Sequence, residues 1–365
     1  MTVCLRAGWI VAVMTGGMAM GETKTSSGNP GAAPRYPDHS KVMIWRDAAG
    51  KEHPVKTPAD WAKRRAHILA GMQDVMGPMP PPSRRVPLDV KTVEVFEAPK
   101  FTRKKITFAT EKATRVPAYL FTPKGLRGKV PAILCPHPTS DIGKGRPAGL
   151  GGPYSRHYAL HLAERGYVTL APDYVRFGEY KWDPYAHGYV SASMKGIWDH
   201  MRCVDLLVSL PQVDPERIAA IGHSLGGHNS MFVAVFDPRI KVVVSSCGFN
   251  AFRWYFGGNL KGWSHKGYMP KIPSYGGWQH MPFDFHEVVA ALAPRPFFVN
   301  APLKDSNFDH RGVTEAVEAA RPVYRLLGAA DKLKVIHPDC AHDFPDDVRE
   351  QVYTWLDREL RHSKR

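Results

Sequence analysis

The architecture of this chain is read from Arg217-Ile218-Ala219-Ala220-Ile221-Gly222-His223-Ser224-Leu225-Gly226-Gly227. Residues 217–222 form an apolar, strand-like run and residues 225–236 continue as a helix, so a Gly-x-Ser-x-Gly turn joins a strand to a helix. In that setting the glycines relieve crowding in a sharp turn. The Ser224 hydroxyl then stands above the sheet at a helix N-terminus, and the next backbone N–H, that of Leu225, faces a developing oxyanion. Five such residues could also form a plain glycine turn with a solvent-facing serine; the flanking elements and the added Gly227 favour a nucleophile.

Working outward, three extended segments at 92–96, 104–108 and 116–121 predict antiparallel leading strands. Apolar runs then alternate with helices: 130–135, a helix over 158–165, 167–171, and a helix over 194–210 that leads to the Ser224 strand. Beyond it follow 241–247, 296–301, a helix over 314–327, 332–337 and a final amphipathic helix. This alternation predicts parallel crossovers in an α/β fold, a mostly parallel central sheet with helices on both faces. It breaks at 249–285, a stretch crowded with Gly, Trp, Tyr and His, which is read as an inserted lid or pocket wall. Residues 91–365 make the catalytic domain. Residues 41–90 make an N-terminal helical extension, with Thr57 as cap and Pro58 in the first turn of a helix ending before Gly77-Pro78. Residues 1–21, with Arg6, an apolar run and small residues, look like a signal peptide, and 22–40 like a flexible leader. Export to the periplasm or outside the cell is therefore expected, without a spanning anchor.

A serine nucleophile needs a base and an acid, and in a strand–turn–helix hydrolase the order is Ser, then Asp or Glu, then His. Asp305 is the first acid after the strand 296–301; Asp309 is the fallback, better read as the cap of the next helix. His342, in Cys340-Ala341-His342-Asp343-Phe344-Pro345, follows the next strand and can reach back. The chain has 17 histidines, so it is the three-part order that carries weight. A second oxyanion donor is expected after residue 135, in Pro136-His137-Pro138-Thr139. Pro138 has no N–H, which points to the Thr139 amide. His137 and Arg176 are candidates to touch substrate, as are Trp254, Tyr255, Trp263, Tyr268, Tyr275 and Trp278 in the insertion, by stacking on sugar faces or else as the insertion's own core.

The 365 residues, 44% hydrophobic and 23% charged, suffice for a substantial core. The net charge of +15 suits a solvated basic surface or a field for anionic partners, but no motif accompanies it that would suggest nucleic acid. Cys135, Cys203, Cys247 and Cys340 allow three disulfide pairings or none, with Cys203 best read as a small buried hydrophobe. No metal or cofactor is expected, because Cys340 and His342 lack a second ligand pair. Oligomeric state is not legible.

Residues 130–360 resemble the α/β-hydrolases of the dienelactone-hydrolase and acetyl-xylan-esterase-like branch. The likeness is carried by Gly166-Tyr167-Val168-Thr169-Leu170-Ala171-Pro172-Asp173-Tyr174, by the Ser224 turn, by Ala301-Pro302-Leu303-Lys304-Asp305 and by Ala341-His342-Asp343-Phe344-Pro345. It implies a lid after strand 6 of that fold and a metal-independent acyl-enzyme mechanism on small-molecule or polysaccharide esters, anionic ones included. Serine stands where dienelactone hydrolases proper carry cysteine, which favours esterase chemistry. A serine peptidase, a thioesterase or lipase, and a binding protein on a decayed scaffold remain rivals.

Overall fold

A computed structural model describes residues 34–362; the expected signal peptide and the leader up to residue 33 lie outside the described residues. Two short strands, β1 (Ile44–Arg46) and β2 (Glu52–Pro54), pair antiparallel ahead of α1 (Pro58–Met76). The sequence reading had no strands there. The start of α1 follows from its residues: the Thr57 hydroxyl accepts from the Asp60 amide, the Asp60 carboxylate accepts from the Thr57 amide, and Pro58 fills the first turn. Its apolar face, including Trp61, Ile68, Met72 and Val75, is buried.

The main sheet contains β3 (Lys91–Glu97), β4 (Phe101–Glu111), β5 (Thr114–Pro123), β6 (Val130–Leu134), β7 (Val168–Pro172), β8 (Val213–His223), β9 (Ile240–Ser246), β10 (Phe297–Asn300) and β11 (Leu333–Ile336). Their spatial order is β11-β10-β9-β8-β6-β7-β5-β4-β3. β6 to β11 run parallel, and β3, β4 and β5 are antiparallel to their neighbours. β7 lies on one side of β6 and β8 on the other, so the chain changes direction across the sheet here. In open α/β sheets such a switch point leaves a crevice at the carboxyl ends of the strands. The loop after β6 and the Ser224 turn after β8 both open onto it.

Residues alternate between two cores, as the pleat requires. Ala132 and Leu134 face one core, with Phe232 and Phe285. Ile133 and Cys135 face the other, with Val244 and Trp355. The covering helices are α2 (Tyr158–Glu164), α3 (Ala192–Ser209), α4 (Leu225–Phe236), α5 (Phe285–Leu292), α6 (His310–Leu326) and α7 (Asp346–Glu359). α6 begins at His310 rather than near 314 because the Asp309 side chain accepts from the Arg311 amide and caps it. Cys135, Cys203, Cys247 and Cys340, the cysteines among the described residues, are unpaired, and Cys203 is fully buried. Residues 249–284 contain short 3-10 turns, among them Phe252–Gly258 and Leu260–Trp263.

α1 is tied to α5 by buried charge. Glu287 accepts from Arg64 and, at 2.9 Å, from His39. Burial would strip His39 of its proton, but the Glu287 carboxylate outweighs it and raises the imidazole to about 9. Arg65 adds hydrogen bonds to the carbonyls of Val235 (2.6 Å) and Ala291 (3.2 Å).

Candidate active site

Ser224 sits at φ 54° and ψ −123°, a conformation that costs a non-glycine residue on the order of 1–3 kcal/mol and persists only where its surroundings enforce it. They do so through backbone bonds: its N–H donates to the Ser246 carbonyl (2.8 Å), and its carbonyl accepts from the amides of Gly227 (2.8 Å) and His228 (3.2 Å). The glycines follow from close approach. A Cβ on Gly222 would lie 2.2 Å from the Gly226 carbonyl, and one on Gly226 would lie 2.2 Å from the Pro136 oxygen. The serine hydroxyl caps nothing. It lines a cavity of about 190 Å³ shared with Thr139, Leu225, His228, Tyr255, Trp263, Tyr268 and Phe308.

His342, in the loop between β11 and α7, pairs through Nδ1 with both oxygens of Asp305, at 3.0 and 2.9 Å. Burial pushes the Asp305 carboxyl up, but hydrogen bonds from His342 and from the amides of Phe308 and Asn307 outweigh it and hold the group below the usual carboxylate range. An ionised Asp305 takes the Nδ1 proton as a hydrogen bond and leaves Nε2 as the basic nitrogen. The His342 ring lies 6.0 Å from that of Phe308, which lines the Ser224 cavity, and 4.7 Å from that of His223. Ser224 and His342 are not hydrogen-bonded to each other in this structure; such bonds commonly close only around substrate.

The His342 loop is clamped by groups that the sequence reading did not single out. Asn300 Nδ2, at the end of β10, donates to the Asp343 carbonyl (2.9 Å) and to Ser246 Oγ (2.8 Å). Arg156 donates to the His342 carbonyl (2.8 Å) and to the Asp343 carboxylate. Asn300 and Ser246 end apolar strands, and a polar residue at the carboxyl end of a buried strand was the signal available for them.

The oxyanion candidates lie on the cavity wall. The N–H of Leu225 opens α4, where the helix dipole adds positive potential. Thr139 follows β6 and bonds through Oγ1 with Tyr268 Oη at 3.1 Å. Of the substrate-binding candidates, Trp263, Tyr255 and Tyr268 line this cavity. The structure does not bring His137 there: it is buried, Nε2 accepts from the Tyr174 amide (2.9 Å), and Nδ1 therefore donates to the Pro138 carbonyl (2.6 Å). Both ring nitrogens are used to shape the loop. Arg176 pairs with Asp183 at 3.5 Å, and reaches the site only through its charge, which with burial depresses the His265 imidazole on the cavity wall. Trp254 is packed on α6, with its Nε1 donating to Glu315 (2.8 Å) and Arg311 over its ring. Trp278 faces a different cavity. His228, one helical turn after Ser224 and so on its face of α4, was not anticipated; its Nε2 and Trp263 Nε1 are buried without partners. Burial, with His200 nearby, lowers the His228 imidazole to about 3.

A family profile of fungal glucuronyl esterases matches residues 176–328. A Bacillus subtilis (strain 168) protein, YtaP, named only as a hydrolase, is 26% identical over 311 residues, 82% of this chain and 99% of that protein. The 4-O-methyl-glucuronoyl methylesterase of Hypocrea jecorina (strain QM6a) is 25% identical over 211 residues, 49% of this chain and 43% of that enzyme. Among solved structures, a glucuronoyl esterase from Solibacter usitatus superposes with a TM-score of 0.70 at 20% identity, covering 90% of this chain and 99% of its own. The chain has the α/β-hydrolase fold.

The profile match on this α/β-hydrolase contains Ser224 and Asp305 and ends before His342. Among the described residues, His223, Cys247 and His342 place ligand atoms within 4.8 Å of one another. In the α/β-hydrolase this cluster is a poor cation site. Burial pushes the Cys247 thiol well up, away from the thiolate that a metal takes. No helix among the described residues is long and apolar enough to cross a membrane.

Proposed function

We propose that this α/β-hydrolase is a serine carboxylic-ester hydrolase that acts on esterified polysaccharide, uronate esters in particular, and that the chain is exported after removal of residues 1–21. The observation that carries the chemistry is a serine held at φ 54° at the N-terminus of α4, next in sequence to His223, whose ring lies 4.7 Å from that of a His342 imidazole fixed to a buried carboxylate. Ser224 Oγ attacks the ester carbonyl carbon as its proton passes to His342 Nε2. The Leu225 and Thr139 amides stabilise the oxyanion, and Asp305 stabilises the imidazolium. The tetrahedral intermediate expels the alcohol, which takes the proton from His342. Water, deprotonated by the same nitrogen, then attacks the acyl-enzyme and releases the acid. Support for a polysaccharide ester comes from the named activities of the relatives, and for a sugar near the serine from Trp263, Tyr255 and Tyr268 around it.

The test is hydrolysis of p-nitrophenyl acetate, acetylated xylan and the benzyl ester of glucuronic acid by the wild type and by Ser224→Ala, both shown to be folded. Turnover of the glucuronate ester in preference to acetylated xylan, lost in the variant, is the expected result. Preference for acetylated xylan would move the substrate to acetyl esters, and equal activity in Ser224→Ala would sink the mechanism. Export is checked by the N-terminus of protein recovered outside the cytoplasm; one that begins at Met1 overturns cleavage.

A further inference from the structure

The inserted segment also walls a second cavity, of about 420 Å³, bounded by residues 37–40, by Arg253, Trp278 and Gln279, and by Asp284, His286 and Glu315. The two cavities share a wall. Tyr255 lines the one that holds Ser224, and Arg253, two residues earlier in the same turn, lines the other. Two residues of chain span at most about 7 Å. Next along that turn stands Phe256, 61% exposed and at φ 47°, with its ring 4.8 Å from that of Tyr255. Left-handed backbone is costly for a side chain of this kind, so the turn holds Phe256 outward at a cost. Gly258 then presses on the edge of Trp278: a Cβ there would lie 2.3 Å from the indole Cδ1, so the turn fixes the orientation of the ring. Tyr255 thus lines the first cavity, Phe256 packs on Tyr255, and Trp278, in contact with Gly258 of the same turn, lines the second.

We propose that the second cavity, with Phe256 at its rim, binds a neutral sugar residue of the same polysaccharide whose ester group enters the Ser224 cavity; this rests on the esterase reading above. An aromatic face ringed by polar groups suits a pyranose, whose C–H face packs on a ring while its hydroxyls hydrogen-bond at the edge. Groups are available for those hydroxyls. The Gln279 amide makes no hydrogen bond to other described residues, and His286 Nδ1 is buried without a hydrogen bond among them, 3.7 Å from the Asp284 carboxylate. Charge selects against an acidic sugar. Asp38, Asp284 and Glu315 line the cavity, while its basic side chains are already paired, Arg253 and His286 with Glu315 and His39 with Glu287. A uronate carboxylate would meet like charge without a free cation.

The experiment titrates the full chain carrying Ser224→Ala with xylohexaose, cellohexaose and hexagalacturonate, following tryptophan fluorescence and heat. A neutral hexamer is expected to bind and hexagalacturonate to bind more weakly. Trp278→Ala and Phe256→Ala, each checked for an unchanged melting curve, are expected to weaken the neutral hexamer about three- to tenfold, the worth of one aromatic contact. With Ser224 intact, the same changes should lower kcat/KM on the esterified polymer relative to p-nitrophenyl acetate by the same factor, through KM. Gln279→Ala, at an exposed position, supplies a third variant should Trp278→Ala fail to fold. Binding of neither neutral hexamer, equal affinity in the variants, or tighter binding of hexagalacturonate overturns the proposal. The titration needs no turnover, so the two readings fail separately. Absent binding with esterase activity intact removes the sugar site alone. Activity that survives Ser224→Ala removes the nucleophile and leaves the sugar site to be judged by its own titration.

Discussion

Two histidine–carboxylate pairs in this molecule have the same length and different fates. His342 and Asp305 meet at 2.9 Å, and so do His39 and Glu287. The difference is at the other nitrogen. His39 Nε2 lies 3.0 Å from the Met281 carbonyl, so the ring spends both nitrogens inside the protein, and its partner Glu287 also holds Arg64. His342 is 28% exposed, and its Nε2 makes no hydrogen bond among the described residues. Asp305 is fed by two backbone amides and has no second cation, so it can respond to charge that develops on His342. A buried ion pair alone therefore does not mark a catalytic site; a pair with one nitrogen left for chemistry does.

Substitutions can break this comparison. The largest effect is expected from Asp305→Asn, which keeps the shape and loses the charge: kcat on p-nitrophenyl acetate should fall about 10⁴-fold, the size known for such a change in a serine protease triad, with the melting curve nearly unmoved. Activity within tenfold of wild type would mean that the pair is structural. Next, Glu287→Ala leaves Arg64 and His39 buried and unpaired, and should cost about 3–5 kcal/mol in urea unfolding, with kcat per folded molecule preserved. A stability loss below about 1 kcal/mol would mean that water reaches the pair. Asn300→Ala should sharpen the comparison from the catalytic side. Releasing the Asp343 carbonyl loosens the His342 loop, and kcat is expected to drop about tenfold, or ~1.4 kcal/mol, with little change in KM. An equal loss in KM alone would assign Asn300 to the binding wall instead.

The smallest effect is a slope with pH. The folded-state pKa of His39, about 9, lies above its ordinary 6.5, so folding takes up a proton there. The stability this contributes is complete below about pH 6.5 and is lost as pH rises through about 9. Unfolding midpoints of the wild type should fall across that window and those of His39→Gln should fall less. Parallel curves for the two proteins would remove His39 as the source.

The Ser224 turn and the insertion differ in how far the sequence could be read. Gly222, Ser224 and Gly226 are legible because their constraint is local steric contact between backbones, and only glycine satisfies it at those spacings. The strands and helices around them followed from periodicity, as did the capping role of Asp309. β1 and β2 were missed because each is three residues long, too short for any period to show. In the insertion, six aromatic candidates between 254 and 278 looked alike in sequence, yet Tyr255, Trp263 and Tyr268 line the Ser224 cavity, Trp254 lies against α6, and Trp278 faces a separate cavity.

By itself the sequence determined the α/β class, the order of strands and helices, and the acid, base and nucleophile candidates in their order along the chain. Each of these depends on spacing between neighbours in the chain. Only the tertiary structure decided which rings face Ser224, that His137 is turned inward, that Asn300 and Arg156 clamp the His342 loop, and that α1 is fastened through Glu287. Those facts depend on residues up to 248 positions apart meeting in space, and no local pattern encodes which of many chemically similar side chains the packing brings together.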